Sequence, residues 1–184
     1  MRYVLRLGRE AAWIIVVAMA LALPWIQSAV LALANGCWSG GYRNGSDRYA
    51  DWRFADAAGA GDVAAIEAAL RDGASVDFRG SAGVTQLMSA AARGDLRTAE
   101  ALLRAGACVD ATDPTGQTAL FYAAAFDQDS VARRLLRDGA DPGCCDLSGR
   151  TPTDRASEFH AARVTALLRE RVRVAATRLA SANE

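Results

Sequence analysis

Residues 83–110, GVTQLMSAAARGDLRTAEALLRAGACVD, and residues 116–142, GQTALFYAAAFDQDSVARRLLRDGADP, align at a step of 33 residues. The same step relates four columns of residues along the chain. These columns are Gly83, Gly116 and Gly149, then Ala57, Ala90, Ala123 and Ala156, then Leu70, Leu103 and Leu136, and finally the Gly-Ala pairs beginning at Gly73, Gly106 and Gly139. A fixed period of this length indicates a repeat array, in which each unit packs on its neighbours.

Each unit has the pattern of two short helices joined by a tight turn. A Thr precedes the first helix as its N-cap, small Ala residues allow close packing, and the Gly of the Gly-Ala pair ends the second helix in the left-handed conformation. In the second unit the pattern predicts helices over residues 86–92 and 96–105, followed by a projecting hairpin over 108–116. Leu103 and Leu136 are predicted to be buried where consecutive units stack.

The two aligned segments resemble ankyrin repeats over about residues 50–170. The resemblance implies an all-α repeat solenoid of about four helix-turn-helix units with projecting hairpins, at 50–82, 83–115, 116–148 and 149–170. The family's Thr-Pro-Leu-His motif is Thr-Gln-Leu-Met at 85–88 and Thr-Ala-Leu-Phe at 118–121. Since the His that ties neighbouring units is absent there, we expect apolar packing to couple them. The first and fourth units depart most from the family pattern and are interpreted as caps.

The amino-terminal part of the chain carries a separate signal. After a short basic segment, residues 1–10, the 24 residues 11–34, AAWIIVVAMALALPWIQSAVLALA, contain no charged side chain. As a helix this run would be about 36 Å long, enough for a hydrocarbon core of about 30 Å. It therefore predicts a transmembrane anchor. A cleavable signal peptide remains an alternative, as does lipidation of Cys37 at a lipoprotein-type site.

The charges around this apolar run predict its orientation. Arg2, Arg6 and Arg9 lie directly before it, which favours a cytoplasmic amino terminus and repeats in the periplasm. Trp38 and Tyr42 follow closely enough to lie in the headgroup layer. Residues 35–49 are interpreted as a flexible tether because they are rich in Gly, Asn and Ser. Arg without any Lys, together with much Ala, is typical of a GC-rich bacterial genome.

No constellation of residues indicates catalysis, a cofactor or a metal. His160 is the single histidine, which excludes sites that need two, and no nucleophile elbow or phosphate-binding loop is present. Asp77 and Asp110 occupy equivalent positions and are interpreted as structural. The four cysteines lack a zinc-ligand spacing and are expected to be free or buried thiols, although an oxidising compartment permits disulfides.

A binding surface is the remaining functional feature. In the family that the chain resembles, partners bind at the hairpin tips and on the exposed side of the first helices. The position before the inter-helix turn is Ala60, Arg93, Phe126 and Phe159 in the four units. Two aromatic residues in one such column are typical of an interaction hot spot unless both fold back into the core. The predicted protein-binding residues are Val84, Arg93, Thr115, Gln117, Phe126, Leu147, Arg150 and Phe159.

The charge distribution narrows the kind of partner. The chain balances 21 basic against 21 acidic residues, which argues against nucleic-acid binding. Residues 54–148 hold eight Arg against fourteen acids, whereas residues 149–184 hold seven Arg against four, with a basic helical tail predicted over 171–184. The sequence predicts a non-enzymatic module that binds an unknown protein, with no small-molecule substrate, at a bacterial inner membrane. The alternative is a soluble periplasmic or secreted protein released by signal cleavage.

Overall fold

A computed structural model describes the backbone of residues 45–80 and 82–181 and the side chains of residues 49–80 and 82–174. Within these ranges it contains eight α-helices and no strand. In chain order they are α1 (Gly45–Ala60), α2 (Val63–Arg71), α3 (Gln86–Arg93), α4 (Leu96–Arg104), α5 (Ala119–Ala125), α6 (Asp129–Arg137), α7 (Pro152–Glu158) and α8 (Ala162–Ser181). The prediction of an all-helical repeat array is therefore confirmed, and the helix bounds of the second unit differ from those predicted by one residue.

The helices form two layers of four. Each odd-numbered helix packs on the even-numbered helix that follows it in the chain, and α1, α3, α5 and α7 stack in one row while α2, α4, α6 and α8 stack in the other. Each unit thus contacts mainly its neighbours, as in a solenoid. Between units the chain makes hairpins, each closed by backbone hydrogen bonds such as that from Asp113 N–H to the Gln117 carbonyl at 2.9 Å.

Side-chain caps fix where four of the eight helices begin. The hydroxyl of Thr85 accepts a hydrogen bond from the Met88 N–H at 3.3 Å, and that of Thr151 accepts from the Asp154 N–H at 3.2 Å. The predicted cap at Thr118 is wrong, because its side chain makes no such bond. Its hydroxyl lies instead 4.0 Å from the Cys144 sulfur of the next hairpin.

Left-handed residues end the second helices and also form the inter-helix turns. Gly73, Gly106 and Gly139 have φ values of +98°, +88° and +97°, as the Gly-Ala pattern predicted. At the inter-helix turns the first two units also use glycine. The third and fourth use Asp127 and His160, whose φ values are +51° and +56°.

The core is built from the repeat columns, with one correction. Every Ala of the first-helix column is buried, with at most 6% of its surface exposed. In the Leu-Leu pairs, however, Leu102 and Leu135 are fully buried, while Leu103 and Leu136 are only half-buried against the core. The burial predicted for Leu103 and Leu136 is therefore wrong by one position, since consecutive helical residues point about 100° apart.

The first and last helices of the array are longer than the helices between them. Helix α1 begins at Gly45, within the segment predicted to be a tether, and its buried side carries Phe54. Helix α8 has 20 residues, against nine in α4 and α6, and it includes most of the tail predicted to be helical. In the part of the chain that the structure describes, no helix is long and apolar enough to cross a membrane. The segment predicted to do so, residues 11–34, lies outside the described residues.

Candidate functional site

Two aromatic side chains project from equivalent positions of neighbouring units. Phe126 and Phe159 are the C-caps that directly follow α5 and α7, and they are 58% and 51% exposed. Each directly precedes a residue of positive φ, Asp127 or His160, so the chain turns away and leaves the ring at the surface. The alternative that these rings fold back into the core is therefore excluded. Both are presented by short, stacked first helices of the array.

The ring of Phe159 is held by a polar network that sequence reasoning missed. The Arg155 guanidinium lies over the ring, 4.8 Å from its centroid. Glu158 pairs with Arg155 at 3.5 Å and with Arg150 at 3.3 Å, so one carboxylate joins the predicted hairpin residue to the aromatic position. Arg150 also pairs with the buried Asp146 at 3.3 Å. The signal was present in the Arg-x-x-Glu spacing of α7, which places Arg155 and Glu158 on one face.

Arg93, predicted to share the binding column with the two Phe residues, is engaged within the fold. Its guanidinium donates a hydrogen bond of 2.7 Å to the carbonyl of Ala58, in the last turn of α1. A cation at this place also complements the negative end of the helix dipole. Although Arg93 is exposed, its guanidinium already bonds to Ala58. The structure therefore does not place Arg93 in one binding surface with Phe126 and Phe159.

The residues after the hairpin glycines are more buried than a contact column would be. Val84 is half-buried against the core. Gln117 is half-buried, and its backbone N–H donates to the Asp113 carboxylate at 2.9 Å. Of this column, only Arg150 joins the network beside Phe159.

The hairpin tips are locked to one another. Leu147, at the tip of the hairpin between the third and fourth units, is 71% exposed, and its N–H donates to the Thr115 carbonyl at 3.0 Å. A Cβ added at Gly83 would lie 2.6 Å from Pro114, and one added at Gly116 would lie 2.9 Å from the Leu147 nitrogen, so each tip is covered by the next. At Gly149 no described atom lies within 4 Å of such a Cβ.

The carboxylates of Asp77 and Asp110 each connect a unit to the one that follows, and that of Asp51 bonds within the first unit. The carboxylates of Asp51, Asp77 and Asp110 accept hydrogen bonds from the backbone N–H groups of Ser75, Cys108 and Asp141, at 2.8, 2.9 and 3.2 Å. Burial raises the pKa of Asp77 and of Asp110. Their predicted structural role agrees with this geometry.

The units are therefore not coupled by apolar packing alone, as the sequence led us to expect. Met88 and Phe121, which replace the family's His, are fully buried and supply the apolar part. The carboxylate bonds between units supply a polar part, which we did not expect because the family's His is absent from both units.

A second carboxylate fixes the hairpin beside the candidate site. Asp113 accepts bonds from the Thr115 hydroxyl at 2.7 Å and the Tyr122 hydroxyl at 2.8 Å. Burial opposes ionisation, but the donors of Thr115, Gln117 and Tyr122 outweigh it and lower the pKa of Asp113. Burial and the bond to Asp113 raise the pKa of Tyr122 to about 12, so its phenol stays a donor at neutral pH.

The cysteines differ in state. Burial raises the pKa of the Cys144 thiol to about 12, and Cys144 and the exposed Cys145 are free. Cys108 is disulfide-bonded, which contradicts the free or buried thiol expected there. Cys37 lies outside the described residues. His160 is exposed at its turn, and the described residues contain no cluster of His, Cys, Asp or Glu able to hold a metal.

An open groove of about 490 Å³ lies where α8 passes the fourth unit. Sequence reasoning did not find it, because it is formed by residues far apart in the chain. Its lining residues are Pro142, Gly143, Thr151, Thr153, Asp154, Arg169, Val172 and Arg173.

A family model described as ankyrin repeats in three copies matches the chain at residues 54–146 and again at residues 87–177. Together the two matches extend over all four helix pairs. No curated protein matches the chain in a sequence search.

Proposed function

The chain belongs to the ankyrin repeat family, and we propose that it binds its protein partner through the aromatic strip, defined as Phe126 and Phe159 with the Arg155–Glu158 pair beside them. Ankyrin repeats are protein interaction modules and generally scaffolds rather than enzymes. The observation that carries the proposal is the exposure of two Phe rings at equivalent positions of adjacent units.

The energetics of association favour this strip over the other exposed groups. Stacked helices lie about 10 Å apart, so the two rings are presented side by side on rigid elements. Aromatic side chains bury a large area while losing little conformational freedom, and such residues dominate measured hot spots. Arg155 and Glu158 are already paired around Phe159, which reduces the ordering needed when a partner binds.

Charge favours a partner with a basic surface. Residues 54–148 carry eight Arg against fourteen acids, so the repeat body attracts positive charge, and this attraction raises association rates at low salt. In this setting the module acts as a scaffold, an inhibitor or an immunity-type partner of another protein.

We further propose that residues 11–34 anchor the module in a bacterial inner membrane, with the repeats in the periplasm. The support is the uncharged 24-residue run and the three Arg residues that precede it. A periplasmic reporter fused after Glu184 should be active and a cytoplasmic reporter silent; the reverse pattern would place the repeats in the cytoplasm. The mass of the mature chain distinguishes an anchor from the alternative, a cleaved signal that releases a soluble periplasmic or secreted protein.

The binding proposal is tested with the double variant Phe126→Ala/Phe159→Ala of the full chain. Crosslinking in intact cells identifies the captured partner, and affinity is then measured with that partner. We expect a loss of about 2 kcal/mol or more in binding, because hot-spot aromatics contribute at this level. Thermal stability should change little, because both rings are largely exposed.

The control is Leu147→Ala, which truncates another exposed apolar side chain, at a hairpin tip and away from the inter-helix turns. It should leave both binding and stability nearly unchanged. Undiminished capture by the double variant would contradict the proposal and direct attention to the hairpin tips at Thr115 and Leu147. A large loss of stability would show that the rings support the fold.

A further inference from the structure

The aromatic residues are divided sharply along the chain. It contains four Trp, four Tyr and five Phe. Seven of the eight Trp and Tyr residues lie within the first 52 positions, and all five Phe residues lie at position 54 or beyond. Trp and Tyr are the residues enriched at membrane–water interfaces, whereas Phe is an ordinary core residue. The division therefore suggests that the first helix of the array has a different environment from the rest.

Helix α1 presents two of these residues to the outside. Tyr49 and Trp52 are 66% and 61% exposed, and their rings stack with centroids 6.3 Å apart and planes inclined by 25°. We call them the α1 aromatic pair. The opposite side of α1 holds Phe54 and Ala58 in the core with no exposed surface. Because burial of α1 uses that other side, the fold itself leaves the aromatic pair without a role.

Arg53 lies beside the α1 aromatic pair, and its charge is balanced by an ion pair. Its guanidinium lies 6.0 Å from the centre of the Tyr49 ring and pairs at 2.8 Å with Asp72, the residue directly after α2. The patch therefore consists of two amphipathic rings with little uncompensated charge. Such a patch suits a neutral interface better than a strongly acidic ligand.

We propose that the α1 aromatic pair rests in the headgroup layer of the lipid bilayer, so that the first unit of the array lies on the membrane surface. The inference depends on the proposed membrane anchor. Only 14 residues separate the end of the apolar run from Tyr49. Fully extended they would reach about 50 Å, and they include Trp38 and Tyr42, which continue the same aromatic series. Tyr and Trp rings are stable there because one edge is apolar and the other forms hydrogen bonds.

The test uses the full chain reconstituted in phosphatidylcholine vesicles, with single tryptophans as depth probes. One chain keeps only Trp52 (Trp13→Phe, Trp25→Phe, Trp38→Phe), and a second keeps only Trp25. A third has all four tryptophans replaced by Phe and carries Phe159→Trp, an aromatic exchange at the far end of the array. Fluorescence in ordinary vesicles is compared with that in two brominated kinds. Vesicles with acyl chains brominated near the headgroup report on Trp52 and on the Phe159→Trp probe, and vesicles with acyl chains brominated near the bilayer centre report on Trp25.

We expect bromine to lower the emission of Trp52 by about twofold, because interfacial groups lie about 5–10 Å into the headgroup boundary. The Phe159→Trp probe should be unaffected. Tyr49→Ser in the Trp52-only chain should reduce the quenching, since it removes half of the patch. Added salt should change none of these values, because the patch is not held by charge.

The outcomes separate this inference from the anchor on which it depends. Quenching of Trp25 without quenching of Trp52 would overturn the inference and leave the anchor standing. An unquenched Trp25 would overturn the anchor. Equal quenching of Trp52 and of the Phe159→Trp probe would show that the whole array lies on the bilayer, and would equally overturn the proposed specific role of α1.

Discussion

The second and third units follow the same 33-residue pattern but join to their successors by different chemistry. At the inter-helix turn the second unit has Gly94, and the side chain of Gln128 occupies the place where a Cβ would be. The third unit has Asp127 in the same left-handed conformation. Its carboxylate accepts the Val164 N–H of α8 at 3.0 Å and pairs with Arg163 at 3.0 Å. One unit joins by close approach and the other by a polar side chain.

The first helices of these units differ in the same way. Thr85 caps α3, whereas Thr118 directs its hydroxyl towards Cys144 of the next hairpin. Arg93 bonds back to the preceding unit, whereas Phe126, at the equivalent position, is left exposed. The 33-residue period thus specifies the backbone of each unit. The residues that vary between units, such as Arg93 and Phe126, decide whether a position bonds to a neighbouring unit or is exposed for binding.

The largest expected loss of stability is at a position that holds a buried Leu in both units. Leu102→Ala and Leu135→Ala should each lower the free energy of unfolding by about 2–5 kcal/mol, because both side chains are fully buried and each truncation leaves a cavity. The neighbouring changes Leu103→Ala and Leu136→Ala are the matched controls and should cost clearly less. Chemical denaturation measures all four. Equal losses within the Leu102–Leu103 pair would contradict the register described here.

An intermediate loss of stability is expected at the inter-helix turn, where the second unit has Gly94 and the third has Asp127. Asp127→Ala removes the acceptor of the Val164 N–H and leaves Ala with positive φ, so we expect a loss of about 2 kcal/mol in the free energy of unfolding. Asp127→Asn keeps an acceptor oxygen and tolerates the left-handed conformation, and it should cost less than half as much. If the two variants were equally destabilised, the ion pair with Arg163, and not the backbone bond, would join the third unit to α8.

The smallest expected change is in the pH dependence of stability, to which Asp110 and Asp113 of one hairpin contribute with opposite signs. The raised pKa of Asp110 means that the folded chain holds this proton more tightly than the unfolded chain, so its contribution to stability falls as pH rises above about 4. The lowered pKa of Asp113 has the opposite sign, so its contribution is present at neutral pH and is lost as pH falls below about 4.

Asp110→Asn should therefore be at least as stable as the parent at pH about 7, with the difference in free energy of unfolding shrinking towards pH about 4. Asp113→Asn should be less stable than the parent at pH about 7 and about 4, with the difference shrinking only as pH falls further below about 4. Denaturation curves at pH about 7, about 4 and about 2.5 provide the measurement. The reverse ranking at neutral pH would show that the bond to the Asp141 N–H depends on a charged acceptor.

The sequence predicted the periodic parts of the fold and missed those set by one side chain. The Gly-Ala column located the ends of the second helices, because only glycine adopts that conformation cheaply. The Leu-Leu pairs could not show which member is buried, since adjacent helical residues are both compatible with an apolar face. Helix α1 begins at Gly45 because Ala50 and Phe54 pack into the core, whereas its first residues have the composition of a loop.

The candidate site was predictable in position but not in detail. The column containing Phe126 and Phe159 followed from the repeat, and so did its place before the turn. The engagement of Arg93 with Ala58 did not, because it depends on a carbonyl one unit away. The link from Arg150 through Glu158 to Arg155 also required the hairpin and α7 to be brought together.

The uncovered tip at Gly149 has a consequence for how such an array can lengthen. In the earlier units the next hairpin covers the tip, but in the fourth unit the chain continues into the long helix α8, and no described atom covers the tip at Gly149. A unit appended after Glu184 would find a long helix in place of a hairpin to stack on. With internal duplication, in which 33 residues are inserted between Ser148 and Gly149, the added unit would have a hairpin on either side of it, and α8 would still follow the unit that begins at Gly149. Growth of this protein by gene duplication is therefore expected from within the array and not at its end.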